Sequence, residues 1–143
     1  MRQARGDSVS PAEFLARLES AEDGSKTLAG RLWVTCANGT DQSTREAWFH
    51  LYDNAYANNR SSHLRETRGK LDGEQELEQG FGWQRVTAVR AGGQDLTGSL
   101  RYRSPDDANP DDRTVFSVEL AAPLAPGEQL ELEVEWQARL PRV

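Results

Sequence analysis

The chain has 143 residues, with 17 Lys and Arg against 23 Asp and Glu, so its net charge is −6 and its pI is near 5.0. That length suits one domain around one sizeable core. An acidic chain without a basic stripe is a poor match for nucleic acid, whose affinity rests on neutralised phosphates, and for an anionic membrane surface. No apolar run approaches the ~18 to 20 residues that insert across a bilayer, and no apolar segment follows the basic residues of the first ten. The expectation is a cytoplasmic domain, whole or cut from a longer chain. A single cysteine, Cys36, excludes an intrachain disulfide framework.

Residues 1–10 read as a flexible tail. In SPAEFLARLESAE (10–22), Ser10, Pro11 and Glu13 resemble a capping box, and Phe14, Leu15, Leu18 and Ala21 follow at helical spacing. The rival reading makes AEFLARLES a strand that turns through EDGSK into TLAGRLWVT. TLAGRLWVTCANGT and EAWFHLY read as strands separated by the turn cluster NGTDQST. Trp48, His50 and Tyr52 share one strand parity, which predicts a buried strand over 48–52. It breaks at Asp53-Asn54, and the asparagines that follow are expected to bond main-chain groups released by the strand end.

Residues 66–80, charged and glycine-bearing, read as a long exposed loop with a helical turn in EQELEQ. GWQRVTAVRAGGQDL and GSLRYRS read as shorter strands, with Gly92-Gly93 as a turn. Thr114, Phe116, Val118 and Leu120 share a parity in the next strand. In QLELEVEWQARL, Leu130, Leu132, Val134, Trp136 and Ala138 alternate with Glu131, Glu133, Glu135, Gln137 and Arg139. That is a strand with one buried and one wet face. Pro126-Gly127 predicts a turn joining these two strands as an antiparallel pair. The carboxylate row reads as a solvated face that also discourages pairing at a sheet edge. The whole predicts an all-β fold: a single, mainly antiparallel β-sandwich domain over residues 1–143.

Candidate chemistry is sparse. His50 and His63 are the only histidines, outside any H-E-x-x-H motif. His50 reads as a core or interface residue. In PDDANPDD (105–112), Asp107, Asn109 and Asp111 copy the first three ligand positions of a calcium loop. Asp112 then stands where that loop needs glycine, and Val118 where it needs a bidentate glutamate. The plainer reading is a turn in which Asp and Asn cap their own backbone. Cys36 reads as a small buried hydrophobe. Asn38-Gly39-Thr40 and Asn59-Arg60-Ser61 fit the glycosylation sequon. No catalytic residue, cofactor or firm metal site is expected.

Several segments taken together resemble a known domain. His50-Leu51-Tyr52, Asn54-Ala55, Asn58 or Asn59, Ser61-Ser62 and Arg65-Glu66 resemble a segment of the N-terminal domain of zinc-dependent alanyl aminopeptidases, the gluzincin family. LAGRLWVTCANGT, DDANPDDRTVFSVEL and PLAPGEQLELEVEWQARLP are similar to further segments of that domain, in matching order. The resemblance covers most of the chain from about Pro11 to Val143. It implies that AEFLARLES is a strand paired with TLAGRLWVT. The family's H-E-x-x-H motif, its glutamate ligand and its G-x-M-E-N motif belong to a following domain and have no counterpart here, so no catalytic residue carries over. The family's domain would also continue beyond Val143, which implies apolar surface or a strand edge for a partner to cover. The implied function is a non-catalytic scaffold packing on a zinc-peptidase catalytic domain or another protein surface. The alternative is a stand-alone interaction module, binding a protein or carbohydrate through its loops, with calcium in 105–112.

Overall fold

The computed structural model describes residues 13–20, 26–66 and 81–140. The described chain forms β1 (Glu13–Ser20), β2 (Lys26–Ala37), β3 (Thr44–His50), α1 (Ser62–Glu66), β4 (Trp83–Ala91), β5 (Gln94–Asp95), β6 (Arg101–Arg103), β7 (Val115–Leu124) and β8 (Gln129–Arg139). Short 3-10 turns occupy Tyr52–Tyr56 and Thr97–Ser99. The strands build a five-stranded sheet in the order β1-β2-β8-β4-β5 and a three-stranded sheet in the order β3-β7-β6. Every pairing is antiparallel. The fold is therefore all-β, as expected. No helix among the described residues is long and apolar enough to cross a membrane. The expected tail (1–10) and nearly all of the expected loop (66–80) lie outside the described residues; only Glu66 is described, as the last residue of α1.

Residues 13–20 are a strand, not a helix, and pair with β2 from Glu13↔Trp33 to Ser20↔Lys26. The capping signal was local, whereas the pairing of eight consecutive residues is a tertiary gain that outweighs it. Gly92 and Gly93 both take positive φ, 56° and 81°, and close the β4–β5 hairpin. Two such residues in a two-residue turn match the twist of the flanking strands.

Two expectations about β7 and β8 need correction. They follow one another across Pro126-Gly127 but do not pair. β7 lies between β3 and β6, while β8 lies between β2 and β4. The turn carries the chain from one sheet to the other and is held by the residue that follows β2: Asn38 N–H donates to the Glu128 carbonyl at 2.9 Å, and Gly127 N–H to the Asn38 carbonyl at 2.8 Å. Burial explains the separation. Val115, Phe116, Ser117 and Val118 are buried in succession: Phe116 and Val118 face the core, and the outward Ser117 lies under Arg103, whose Nε donates to its hydroxyl at 2.8 Å. β8 is buried on one parity only. It is also the centre of its sheet, so its glutamates block no edge. They meet arginines of both neighbours instead: Arg31 of β2 and Arg90 of β4 contact Glu133 and Glu135 at 2.7–3.3 Å.

The core lies between the sheets. Phe116, Val118 and Leu120 face Val89, Leu132 and Val134, with Leu51 and Leu96 at the ends. Each such side chain contributes roughly 1.5–3 kcal/mol on full burial. A third correction concerns 48–52. The buried parity there is Ala47, Phe49 and Leu51, not Trp48, His50 and Tyr52. Phe49 sits opposite Phe116 in the ladder and stacks on it, centroids 5.0 Å apart. Trp48 is consequently 50% exposed and Tyr52 73% exposed. His50 is exposed as well and stacks on Tyr52 at 5.1 Å.

Candidate functional site

The polar side chains singled out in the sequence gather at one end of the sandwich. Two segments meet there: residues 52–62, which leave β3, and residues 104–114, which lead into β7. The first begins where β3 ends, because Leu51 turns inward and its N–H donates to the Thr114 carbonyl at 2.6 Å. The chain then tightens into the Tyr52–Tyr56 turn and delivers Asn54 to the interior, where it is 3% exposed. Its Nδ2 donates to the Arg113 carbonyl at 2.7 Å, and its Oδ1 accepts from Gln84 N–H at 2.7 Å. One side chain thus ties the strand exit, the β7 approach and the start of β4. Asn58 Nδ2 donates to the Asp111 carbonyl at 3.1 Å, and its Oδ1 accepts from Arg60 N–H at 2.9 Å. The buried Ser61 hydroxyl donates to the Ala55 carbonyl at 2.5 Å. The asparagines do bond main-chain groups, but Asn54 and Asn58 reach those of Arg113, Gln84, Asp111 and Arg60 rather than groups released where β3 ends, and Asn59 is exposed.

The 104–114 segment answers with its own side chains. Asp107 Oδ1 accepts from Asn109 N–H (3.0 Å), Asn109 Oδ1 from Asp111 N–H (3.1 Å) and Asp112 Oδ1 from Thr114 N–H (3.1 Å). These are three Asx turns in succession, each side chain capping the backbone two residues on. Asn109 is 6% exposed, and its Nδ2 crosses to the Arg60 carbonyl (2.8 Å) and to Ser62 Oγ (3.2 Å). Ser62 Oγ donates to Asp107 Oδ2. That bond, with the one from Asn109 N–H, holds the Asp107 carboxyl below its ordinary range. Asp111 pairs with Arg60 at 3.5 Å. Asp107, Asn109 and Asp111, the calcium candidate, are thus neighbours whose oxygens already accept bonds or face a guanidinium. Among the described residues no group of three His, Cys, Asp or Glu side chains could hold a metal ion.

Other candidates fall elsewhere. Cys36 is part-buried on β2 against the core, and burial pushes its thiol up. A raised thiol is less nucleophilic at neutral pH. Asn38 is buried, with Nδ2 donating to the Gln42 and Leu124 carbonyls at 2.8 Å each, so its sequon is closed to modification in the folded chain. His63 contacts Tyr56 edge-on and does not join His50.

Beside the asparagine network lies an open groove of about 380 Å³. Its walls include Asn58, Trp83, Gln84, Arg85, Tyr102 and Arg113. Two guanidinium groups stack on its aromatics, Arg85 over Trp83 and Arg113 over Tyr102, each 5.0 Å from the ring centroid. Sequence reasoning missed this feature. Trp83 and Arg85 share a strand parity, a readable signal for such a stack. Tyr102 and Arg113 are joined only by the β6–β7 fold, and nothing local marks them. No protein-family model matches the chain, and no curated protein matches it.

Proposed function

We propose that the chain is a non-catalytic scaffold domain, of the kind that the N-terminal domain of zinc-dependent alanyl aminopeptidases provides. Its partner in this reading is a zinc-peptidase catalytic domain or another protein surface. The observation that supports it is the way the two segments carrying the resemblance meet. Asn54 and Asn58 bond the Arg113 and Asp111 carbonyls, and Asn109 bonds the Arg60 carbonyl. The polar side chains of the two motifs hold each other's main chains. A shared structural task of this sort gives both motifs a reason to occur together without any chemistry.

A scaffold also needs a face to offer. The outer side of the three-stranded sheet carries Trp48, with Arg103 stacked over it at 5.4 Å, and the exposed His50, Tyr52 and Arg101. Aromatics and arginine are the residue types that dominate binding energy at protein interfaces. The reading is tested by incubating the pure chain with an alanyl anilide, with added zinc and with a chelator. Release of the aniline no faster than in buffer is the expected result. Chelator-sensitive turnover by the pure chain overturns it.

A further inference from the structure

The groove beside Trp83 has the composition of a binding site for an anionic group. Among the described residues Arg60, Arg85 and Arg113 line it against one carboxylate, Asp111, a local surplus of positive charge on a chain whose net charge is −6. The three arginines are not equivalent. Arg60 is paired with Asp111 at 3.5 Å. Arg85 directs Nε and a terminal nitrogen at Gln137 Oε1, 3.1 and 2.5 Å away. Arg113 has no carboxylate partner among the described residues and is exposed, with its guanidinium laid over Tyr102. Stacking fixes the plane of a guanidinium while its N–H edge stays open, which is the geometry that takes a carboxylate in a bidentate pair.

The remaining walls suit a peptide better than a bare anion. The parts of Trp83 and Tyr102 that the stacked guanidiniums leave uncovered offer apolar contact, and the side chains of Gln84 and Tyr102 supply polar groups for main-chain amides. The volume, about 380 Å³, lies at the small end of ligand sites, which run roughly 300–1,000 Å³. Among the described residues β6, which carries Tyr102, pairs with β7 alone, and its other edge could take an extended segment. We propose that this groove binds a short acidic peptide, with the carboxylate of an Asp or Glu side chain seated on the Arg113 guanidinium. This goes beyond the scaffold reading and stands or falls independently of it.

The test uses the full chain labelled with 15N, titrated at low salt with acetyl-Ala-Glu-Ala-amide and observed by two-dimensional NMR. Parallel titrations use acetyl-Ala-Gln-Ala-amide and sodium phosphate. The expected result is a saturable shift of the Trp83 indole N–H and of the Asn58 and Arg113 amides with the Glu peptide, at least tenfold weaker with the Gln peptide and with phosphate. Arg113→Gln should weaken the Glu peptide about tenfold, and Tyr102→Ala by a similar factor. Arg45→Gln, at an exposed arginine outside the groove, should leave it unchanged. Both arginines are exposed, so a dispersed spectrum of each variant verifies its fold. No saturable shift, equal affinity for the Glu and Gln peptides, phosphate binding as tight as peptide, or an Arg113→Gln variant that binds normally would each overturn the proposal.

Discussion

Asn54→Ala probes the polar network at its deepest point. The side chain is 3% exposed and makes two bonds of 2.7 Å, one to the Arg113 carbonyl and one from Gln84 N–H. Alanine leaves both main-chain groups without a partner where water has little access. An unsatisfied buried group costs roughly 1–3 kcal/mol, so the pair should cost about 2–6 kcal/mol in all. A domain of this size has a total stability of roughly 5–15 kcal/mol, so the variant should still fold. In urea, with a slope of ~2 kcal/mol per molar, the midpoint should fall by about 1–3 M with the slope unchanged. Asn59→Ala is the control: Asn59 is exposed, and the change should stay within ±0.5 kcal/mol. Asn54→Asp separates shape from bonding. It keeps the volume but sets an oxygen against the Arg113 carbonyl, so it should also destabilise, and less so at low pH, where the new carboxyl is protonated. An Asn54→Ala loss below ~0.5 kcal/mol would refute the view that this network holds the end of the sandwich together.

Further outcomes follow from single residues. Ala108 sits at φ 54°, a left-handed conformation that costs a non-glycine residue roughly 1–2 kcal/mol. Ala108→Gly should therefore stabilise by about 0.5 kcal/mol after the extra freedom of glycine in the unfolded chain is counted, and an unchanged or lower thermal midpoint would contradict this. Cys36 is part-buried with its thiol pushed up, so iodoacetamide should label it at least about tenfold more slowly in the folded chain than in urea. Equal rates would count against the packing described. Among the described residues three carboxyls are held low: Glu135 by the Arg90 hydrogen bond, Asp107 by Ser62 and Asp95 by Thr97. A depressed folded-state value stabilises above the ordinary carboxylate range, near pH ~4, and is lost as pH falls through and below it. Urea midpoints should thus be flat from pH 7 to about 5 and fall from about 4 downward; a rise on acidification would show that other groups dominate.

The parts of the fold that were legible in the sequence are those where one face is apolar and the other charged. β8 is the clear case, because Leu132 and Val134 alternate with Glu133 and Glu135 without interruption. The Gly92-Gly93 hairpin was legible because positive φ at two adjacent residues needs glycine. The pairing of β8 was not, since alternation says which face is buried and nothing about which strand lies alongside. β7 shows why: four buried residues in a row mark a middle strand, but its partners, β3 and β6, are set by tertiary packing. In AWFHLY both parities are apolar or aromatic, and the bulkier one, Trp48-His50-Tyr52, proved to face outward. β4 is irregular for another reason. Its register with β8 shifts between Val86 and Ala88, which moves the inward parity from Val86 to Val89 and blurs the period of two.

At the candidate site the residue types were legible and the geometry was not. Asn and Asp near strand ends announce side-chain capping, and Asp107, Asn109 and Asp112 all cap the backbone two residues on. That Asn109 reaches the Arg60 carbonyl, 49 residues away, could come only from the fold. The groove was illegible for the same reason, since Tyr102 and Arg113 belong to different stretches of chain.

The 52–62 and 104–114 segments form a structural latch whose oxygens serve the backbone. Titration of calcium, and separately zinc, to millimolar excess tests it most directly, followed through the amides of Asp107, Asn109, Asp111 and Thr114 and through the thermal midpoint. No saturable shift of those amides and an unchanged midpoint are the expected outcome. Saturable shifts accompanied by a clear rise in the midpoint, the signature of an ion bound to the native state, would contradict it.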